Sequence, residues 1–541
     1  MTKRTFSRLG LSLITSAYMA TIANVALWRE LSALNLLNSF AGWGFAAALA
    51  AAITGCLTGI MSLFAWRWMF KPVIAVLLAM SAAGAYFMWM YHVVVDADMI
   101  INVLQTNPAE AIALLNVRML AALLFLFVIP LAFVIWYPLH WGPVLGQAIR
   151  NSTTVLLSLV AVAAVLVASY QPMASAMRNH KQLRYLMNPL NSVYALGRVT
   201  AKPFARSSSV LEIVGADAVA SPPSVRPPLL LLVVGETARA ENFALNGYAR
   251  ATTPALEREG VVSFRQTSAC GTSTAASLPC MFSPLGREKF NSRSHEYENL
   301  LDVLQRAGLA VLWLNNQSGC KGVCDRIPYE TTRRDDSTLC SGGECLDDVL
   351  LNGLEDRLAA MPIERRARGT VIVMHQMGSH GPAYYKRSPP SSKRFQPECT
   401  SNNLQDCSRA ELLNAYDNSI AYTDQFLSSA IQWLKVRQDK FSTAMVYVGD
   451  HGESLGENNL YLHGLPYAIA PDVQKKVPWI TWLSPAFTEL AKLSMPCLRQ
   501  RSGIPLSHDN LFSSMLGLMQ VRTSDYASGA DAYSACSRAG G

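Results

Sequence analysis

An apolar run from Thr443 to Val448 stops at Gly449-Asp450-His451-Gly452-Glu453-Ser454, and an earlier run, Leu229 to Val234, stops at Gly235-Glu236-Thr237. Both read as strands that deliver metal-type ligands at their C-terminal ends. In an open α/β sheet, ligands bind in the crevice beyond the carboxyl ends of the strands, so Glu236, Asp450 and His451 are expected to converge although they lie far apart in the chain. Carboxylate oxygen with imidazole nitrogen suits zinc. A second segment, Cys270-Gly-Thr-Ser-Thr-Ala-Ala-Ser-Leu-Pro-Cys280, is a run of small and hydroxylated residues between two cysteines. A Thr or Ser at the start of a helix meets unpaired backbone N–H groups and the positive end of the dipole, which favour bound phosphate. Such a hydroxyl is a poor nucleophile until something lowers its pKa, and coordination to a metal does that. Taken alone, any hydroxyl here is more often a helix cap than a nucleophile. Only convergence with the metal-type ligands makes the chemical reading the stronger one.

The elements that must position these groups follow from the pattern after residue 228. Strand-like runs (Leu229 to Val234, Ala310 to Leu314, Thr370 to His375, Ala444 to Val448, Trp479 to Leu483) alternate with helical ones (Tyr297 to Arg306, Leu346 to Met361, Arg409 to Val436, Asp509 to Met519). Such alternation predicts a soluble α/β domain over 228–541 built on a largely parallel sheet between helices. Ahead of it, 178–227 turns mixed and then rich in Ser and Pro, ending Ser221-Pro-Pro-Ser-Val-Arg-Pro-Pro228, the composition of a linker.

With 51% hydrophobic and only 16% charged residues in 541, the chain is too apolar for an ordinary soluble protein. The excess lies in 1–177. Uncharged stretches run from Leu9 to Trp28, Phe40 to Trp66, Pro72 to Tyr91, Met119 to Leu139 and Thr153 to Met177. Each meets the length of roughly 18 residues expected of a spanning helix, and five are predicted. The first resembles a signal peptide, with Lys3, Arg4 and Arg8 before it, but lacks a small-residue cleavage site and is followed by four more spans. With the N-terminus inside, the inner segments hold Lys3, Arg4, Arg8, Arg67, Lys71 and Arg150 and the outer loops only Arg29 and Arg118, so the α/β domain is expected outside the cytoplasm. Between the third and fourth spans, 93–117 is too polar to cross and reads as an amphipathic segment on the outer face. Within it, Asn107-Pro-Ala-Glu110 has the form of a helix start, leaving Glu110 open between a cap and a ligand.

Ten of the eleven cysteines, all but Cys56, lie beyond residue 200. An even number outside the cytoplasm points to disulfides, and local spacing pairs Cys270 with Cys280, Cys320 with Cys324, Cys340 with Cys345, Cys399 with Cys407 and Cys497 with Cys536. The competing reading is a cysteine-rich zinc site, with Cys320-Lys-Gly-Val-Cys324 as its best fragment. The net charge of +8 fits work at an anionic membrane surface. No basic run with interleaved aromatics points to nucleic acid.

Taken together, Val-Val-Gly-Glu-Thr-Ala-Arg-Ala (233–240), Cys-Gly-Thr-Ser-Thr-Ala (270–275), Gly-Ser-His-Gly-Pro (378–382), Asp-His-Gly-Glu-Ser-Leu-Gly-Glu (450–457) and Tyr-Leu-His-Gly (461–464) resemble the lipid A phosphoethanolamine transferases, chromosomal and mobile colistin-resistance enzymes alike, of the alkaline-phosphatase-like superfamily. The resemblance covers essentially the whole chain. It implies an α/β/α sandwich of the alkaline-phosphatase and sulfatase type behind five transmembrane helices, in the bacterial inner membrane with the catalytic domain in the periplasm. It implies that Thr274 is the nucleophile that carries phosphoethanolamine and that Glu236, Asp450 and His451 hold Zn²⁺ with the Thr274 oxygen. His380 and His463 match histidines near the transferred phosphate, where they bind substrate or a second zinc, and Lys321 matches a lysine facing that phosphate. Asn102, Thr106 and Glu110 match contacts to the ethanolamine head group, which favours a ligand role for Glu110 without removing the cap. By their surroundings alone, His375, His92, His140, His180, His295 and His508 read as structural or surface groups.

The implied reaction takes phosphoethanolamine from phosphatidylethanolamine onto Thr274 and passes it to a lipid A phosphate, in a monomer, with weaker binding of polymyxins as the consequence. The competing enzyme is a relative that moves phosphoglycerol or phosphoethanolamine to another glycan or lipid. A sulfatase is disfavoured because the Cys-x-Pro-x-Arg stretch is absent near 270–280. A silent zinc-binding or lipid-binding anchor would show a broken ligand set, and this one is complete.

Overall fold

The computed structural model describes residues 7–105, 111–112, 114–205, 211–332 and 338–538. The chain divides into two compact units, one of Met1–Ile100 with Leu115–Ala201 and one of Ile101–Leu114 with Lys202–Gly541.

In the first unit, five helices are long and apolar enough to cross a membrane: Arg8–Ala33, Phe40–Leu63, Phe70–Met90, Val117–Trp136 and Val144–Ala168. Helix Phe40–Leu63 packs against Arg8–Thr21 and Val144–Ala168. Polar side chains tie this bundle where water cannot, as expected in a bilayer. Asn188 Nδ2 donates to the carbonyls of Ala23 (3.1 Å) and Ser81 (2.6 Å), its backbone N–H donates to Asn24 Oδ1 (2.9 Å), and Thr58 Oγ1 donates to Ser16 Oγ (3.1 Å). The fifth span differs from the sequence expectation of Thr153 to Met177. It begins at Val144, behind Pro143, and ends at Ala168, after which a separate helix Tyr170–Asn179 follows. Hydropathy had excluded Gln147, Arg150 and Asn151, but a helix continues through polar residues as long as its backbone ladder is closed, and Gln147 and Asn151 find carbonyl partners at Gly142 and Ala65. The stretch 178–227, read as linker, is structured in its first half, with helices Gln182–Tyr185 and Leu190–Ala205. Within 93–117, Asp96 Oδ1 accepts from the Met99 N–H (2.9 Å) at the start of helix Ala97–Gln105. Thr106 and Glu110 lie outside the described residues.

The second unit is built on an eight-stranded sheet: β1 (Pro228–Gly235), β2 (Val262–Ser268), β3 (Ala310–Asn315), β4 (Tyr329–Thr331), β5 (Thr370–His375), β6 (Ser442–Gly449), β7 (Lys476–Leu483) and β8 (Pro505–Ser507), in the order β8-β2-β7-β6-β1-β5-β3-β4. All pairs are parallel except those of β7, which runs antiparallel to β6 and β2. The run Leu-Leu-Leu-Leu-Val-Val of β1 explains its central place, because a strand covered on both faces must be apolar at every position. Its side chains alternate between two cores. Leu230, Leu232 and Val234 join Val446, Val448, Leu300, Leu304 and Met515 on one face. Leu229, Leu231 and Val233 join Met445, Tyr447 and, from the long helix Arg409–Lys435, Ile420, Leu427 and Ile431 on the other. That helix is started by a capping box between Ser408 and Glu411. The architecture is the expected helix, sheet, helix sandwich.

Strands β2, β4 and β8 escaped the sequence expectation. Val-Ser-Phe-Arg-Gln-Thr-Ser puts Arg265 and Gln266 in solvent and carries no continuous apolar run, and the other two have three residues each. Strand β7 takes in Pro478 because its register slips between Val477 and Trp479, freeing that position from the ladder. We predict that Leu231→Ala, in a strand buried along its whole length, lowers stability by about 2–5 kcal/mol. The control Ile363→Ala, on an exposed helix position, should shift it by less than about 0.5 kcal/mol in the same chemical denaturation series.

Candidate metal and transfer site

Strands β1 and β6 are neighbours in parallel, with Gly235 opposite Gly449. The residues that follow, Glu236 and Asp450, therefore leave the sheet side by side, and the Asp450 N–H donates to the Gly235 carbonyl (2.8 Å). Strand β5 ends on the other side of β1 at His375. The chain reverses sharply after Glu236: Thr237, a β-branched residue, adopts φ 56°, an uncommon and strained state. Its backbone N–H donates to Asp450 Oδ1 (3.0 Å), its hydroxyl to Glu236 Oε1 (2.8 Å), and its carbonyl accepts from Tyr416 Oη (2.7 Å). Gly378 comes so close that a Cβ there would lie 2.6 Å from the Glu236 carbonyl oxygen.

Thr274 is the first residue of helix Thr274–Met281, and the hydroxyl of Ser277 pins that helix to the Asp450 carbonyl (2.5 Å). The Thr274 hydroxyl lies 3.0 and 3.1 Å from the two carboxylate oxygens of Glu236 and 3.3 Å from His451 Nε2. Glu236, Asp450, His451 and Thr274 are all buried, and one ligand atom from each of the first three lies within 4.8 Å of the others. His451 Nδ1–H donates to the Gly452 carbonyl (2.9 Å), which turns Nε2 toward Glu236 Oε1 (3.3 Å) and Asp450 Oδ2 (3.4 Å). Asp450 Oδ1 is satisfied by the Thr237 and His451 N–H groups, whereas its buried Oδ2 has no hydrogen-bond partner among the described residues.

Two buried carboxylates in contact call for a cation. Although burial pushes the Glu236 carboxyl up, the neighbouring imidazoles of His375 and His451 hold it well below the usual carboxylate range. Burial, then the Glu236 charge, carries Asp450 up to about 6. Burial pulls the His451 imidazole down, but Asp450 and Glu236 overcome it and raise it to about 10. Without a metal the cluster thus binds a proton on the nitrogen that faces the orphaned Asp450 oxygen. A nitrogen, two carboxylates and a hydroxyl, all buried and converging, suit zinc.

The further histidines stand beside this cluster. The ring centroids of His451 and His463 are 4.3 Å apart, and those of His463 and His380 5.8 Å. Lys321, at φ 52°, donates to Ser318 Oγ (3.0 Å) and to the carbonyl of Gln105 (3.2 Å), the last residue of the helix that carries Asn102. The five cysteine pairs stand as spacing suggested: 270–280, 320–324, 340–345, 399–407 and 497–536. With Cys320 bonded to Cys324, no thiolates remain for a cysteine zinc site there.

Three residues gain roles that the sequence reading did not give them. His375 was set aside as structural, yet its Nε2 lies 3.7 Å from Glu236 Oε2 while Nδ1 meets Asn315 Oδ1 (3.1 Å). His508 is buried, donates from Nε2 to the Gly449 carbonyl (2.8 Å) and accepts at Nδ1 from the Cys270 N–H (3.0 Å), so it joins the end of β6 to the Thr274 segment. Burial holds it down at about 4, neutral, as that bonding requires. Glu453 faces His463 Nδ1 (3.3 Å) and accepts from Tyr384 Oη (2.9 Å). Burial, then Glu453 itself, pushes the Tyr384 hydroxyl well above its ordinary value and keeps it a donor. Only Glu453 had a signal, its place in Asp-His-Gly-Glu.

Comparison with known proteins accounts for both units. The family model described as sulfatase matches residues 228–521, and the one described as phosphoethanolamine transferase EptA/EptB matches 53–204. The chain is 39% identical to phosphoethanolamine transferase EptA of Salmonella typhimurium, over 97% of this chain and 96% of that one. The structure of lipooligosaccharide phosphoethanolamine transferase A from Neisseria meningitidis, an integral membrane protein, superposes with a TM-score of 0.91 at 35% identity, covering 98% of this chain and 99% of that one. The C-terminal periplasmic domain of phosphoethanolamine transferase EptC from Campylobacter jejuni covers 61% of this chain and is itself covered completely, at 41% identity and a TM-score of 0.53. With five spans in one unit and five disulfides in the other, the chain is an inner-membrane protein with its α/β domain in the periplasm. Motifs, fold and end-to-end identity agree, and the chain belongs to the lipid A phosphoethanolamine transferases of the alkaline-phosphatase-like superfamily.

Proposed function

We propose that this transferase works in two steps through an ester on Thr274, taking phosphoethanolamine from phosphatidylethanolamine and giving it to a phosphate of lipid A, with zinc held by Glu236, Asp450 and His451. The observation that carries this reading is the Thr274 hydroxyl, buried at a helix start within 3.3 Å of both Glu236 oxygens and of His451 Nε2. Zinc bound among these residues supplies Lewis acidity, which lowers the pKa of a hydroxyl and offsets charge on phosphoryl oxygens.

In the first step a bond forms between Thr274 Oγ and phosphorus while the bond from phosphorus to the diacylglycerol oxygen breaks. Glu236, held ionised, accepts the Thr274 hydrogen bond and orients the attacking oxygen. The proton lost by Thr274 balances the one that diacylglycerol takes up on leaving as an alcohol. In the second step a lipid A phosphate oxygen attacks the same phosphorus, the Thr274 ester bond breaks, and Thr274 regains a proton. His463, beside His451 and held by Glu453, and His380, beside His463, orient the phosphate-bearing groups. Lys321 offsets phosphate charge, and Asn102, Thr106 and Glu110 receive the ethanolamine end. The first-turn N–H groups of helix Thr274–Met281 add a fixed positive potential toward the phosphorylated residue.

Both substrates are lipids, which accounts for five spans attached to a periplasmic enzyme that works as a monomer in this reading. The added ammonium offsets phosphate charge on lipid A and weakens binding of cationic polymyxins.

Two measurements test this. Thr274→Ala should lose transfer by about 10³-fold or more and carry no phosphoethanolamine adduct, whereas wild-type protein incubated with the donor alone gains one adduct on the peptide holding Thr274, by mass spectrometry. Unchanged lipid A modification by the variant would end the covalent reading. Zinc binding to chelator-stripped protein at about pH 7.5 should release about one proton, because His451 lies at about 10 before binding and must be neutral as a ligand. Affinity should then fall as pH is lowered from about 10, more steeply below about 6 as Asp450 also protonates. Calorimetry in buffers of different ionisation enthalpy gives the proton count, and a value of zero would detach His451 from the metal.

A further inference from the structure

The segment that carries Thr274 is flanked by two cations that the reaction above leaves without a role. Arg287, in helix Gly286–Ser292, donates from Nε to the Cys270 carbonyl (3.1 Å), and its guanidinium carbon lies 3.5 Å from the ring centroid of Tyr467. Lys475 Nζ lies 5.5 Å from the same centroid. One aromatic ring thus carries two positive charges. Hydrogen bonds tie Lys475 and the loop of Tyr467 to the Thr274 segment: the Ala269 N–H donates to the Lys475 carbonyl (2.7 Å), the Gly464 N–H to the Thr272 carbonyl (2.7 Å), and the Thr272 hydroxyl to the Leu465 carbonyl (2.6 Å). Tyr467 therefore sits on the loop that also holds His463.

The acidic groups nearby leave these charges available. Asp509 Oδ1 accepts from the backbone N–H of Arg287 (2.8 Å), not from its side chain. Asp472 lies 3.3 Å from Lys475, but it is an exposed side chain, a pair that solvent screens. Among the described residues, Nη1 and Nη2 of Arg287 have no hydrogen-bond partner, and all three side chains are half-buried.

We infer that Arg287, Tyr467 and Lys475 form the subsite for the acceptor, a phosphate monoester carried on a sugar headgroup; the inference rests on the two-step reading of the site. A guanidinium with two free terminal nitrogens binds a phosphate through paired hydrogen bonds, and Lys475 adds a second charge. Tyr467 fixes the guanidinium plane beforehand and so reduces the side-chain freedom lost on binding. The donor differs in chemistry: its head group is zwitterionic and needs a carboxylate as well as a cation, the roles that the two-step reading gives to Glu110 and Lys321. Two cations tied to Ala269 and Cys270, in the segment that leads to Thr274, fit the acceptor, which carries net negative charge and no amine before reaction.

The test separates the two steps. Full-length protein in detergent is given a fluorescent phosphatidylethanolamine, and two rates are read: the burst of diacylglycerol released without acceptor, and transfer as a function of added lipid A. For Lys475→Gln and for Arg287→Lys the acceptor KM should rise about tenfold while the burst keeps its wild-type rate. Lys475→Arg, which restores the charge, should stay near wild type. An acceptor KM within about twofold of wild type in the double variant Arg287→Lys/Lys475→Gln would overturn the inference. So would a parallel fall of both rates, the mark of a brace that merely holds the Thr274 segment. If wild-type protein gives no burst and no Thr274 adduct, the two-step reading itself fails and takes the subsite with it. A normal burst with an unmoved acceptor KM fails the subsite alone.

Discussion

Two carboxylates pressed together in a dry site set the terms for everything around them. Glu236 and Asp450 follow residues paired in parallel register, so the sheet itself forces their side chains into one crevice. Buried like charges at that separation are strongly unfavourable unless a cation joins them. The imidazole of His451 answers with a proton when no metal is present, and its Nε2 is turned to the carboxylates because Nδ1 is engaged by the Gly452 carbonyl. Three ligand atoms, one from each of Glu236, Asp450 and His451, already lie within 4.8 Å of one another, a set that suits a divalent ion.

A second layer holds this geometry. Thr237 is kept in the left-handed region by bonds from its N–H, hydroxyl and carbonyl, and Gly378 admits the loop of His380 against it. Asp347 accepts from the N–H groups of Met377 (2.7 Å) and Gly378 (3.0 Å), and Arg387 donates from Nε to the His380 carbonyl (2.7 Å) while gripping Glu344 with its other nitrogens. Glu344 lies beside Cys345 of the 340–345 disulfide, so a covalent link far from the metal-type ligands steadies the backbone of a histidine near them. His508 does the same for the Thr274 segment from the opposite side. Strain at Thr237 and covalent ties on the surrounding loops serve one end: side chains that do not need to reorganise when charge develops.

The division of labour between the units follows from solvent. A reaction on a phosphate needs a polar, preorganised pocket, and only a water-soluble α/β domain builds one from loops at strand ends. Lipid substrates need the enzyme held at the bilayer, which five apolar helices achieve. The periplasm permits disulfides, and the 270–280 pair closes the segment that bears Thr274.

How much of this was legible in the chain depended on the range of the interaction. Continuous apolar runs marked β1, β5 and β6, because a strand buried on both faces has no freedom to be polar, and they marked the five spans for the same reason of solvent exclusion. β2, interrupted by exposed Arg265 and Gln266, and the three-residue β4 and β8 left no such mark, and the fifth span was shifted because hydropathy cannot see a helix continuing through Gln147 and Asn151. Glu236, Thr274, Asp450 and His451 were legible because their motifs end strands or begin a helix. His375, His508 and the hold of Tyr384 on Glu453 were not, since a lone histidine or tyrosine acquires its role from neighbours remote in sequence. The sequence by itself determined which residues have the chemistry and which segments avoid water, both local properties of side chains. Only the tertiary structure decided that Gly235 lies opposite Gly449, and with that register that Glu236 and Asp450 leave the sheet side by side, because strand pairing is a contact between distant residues that no local pattern encodes.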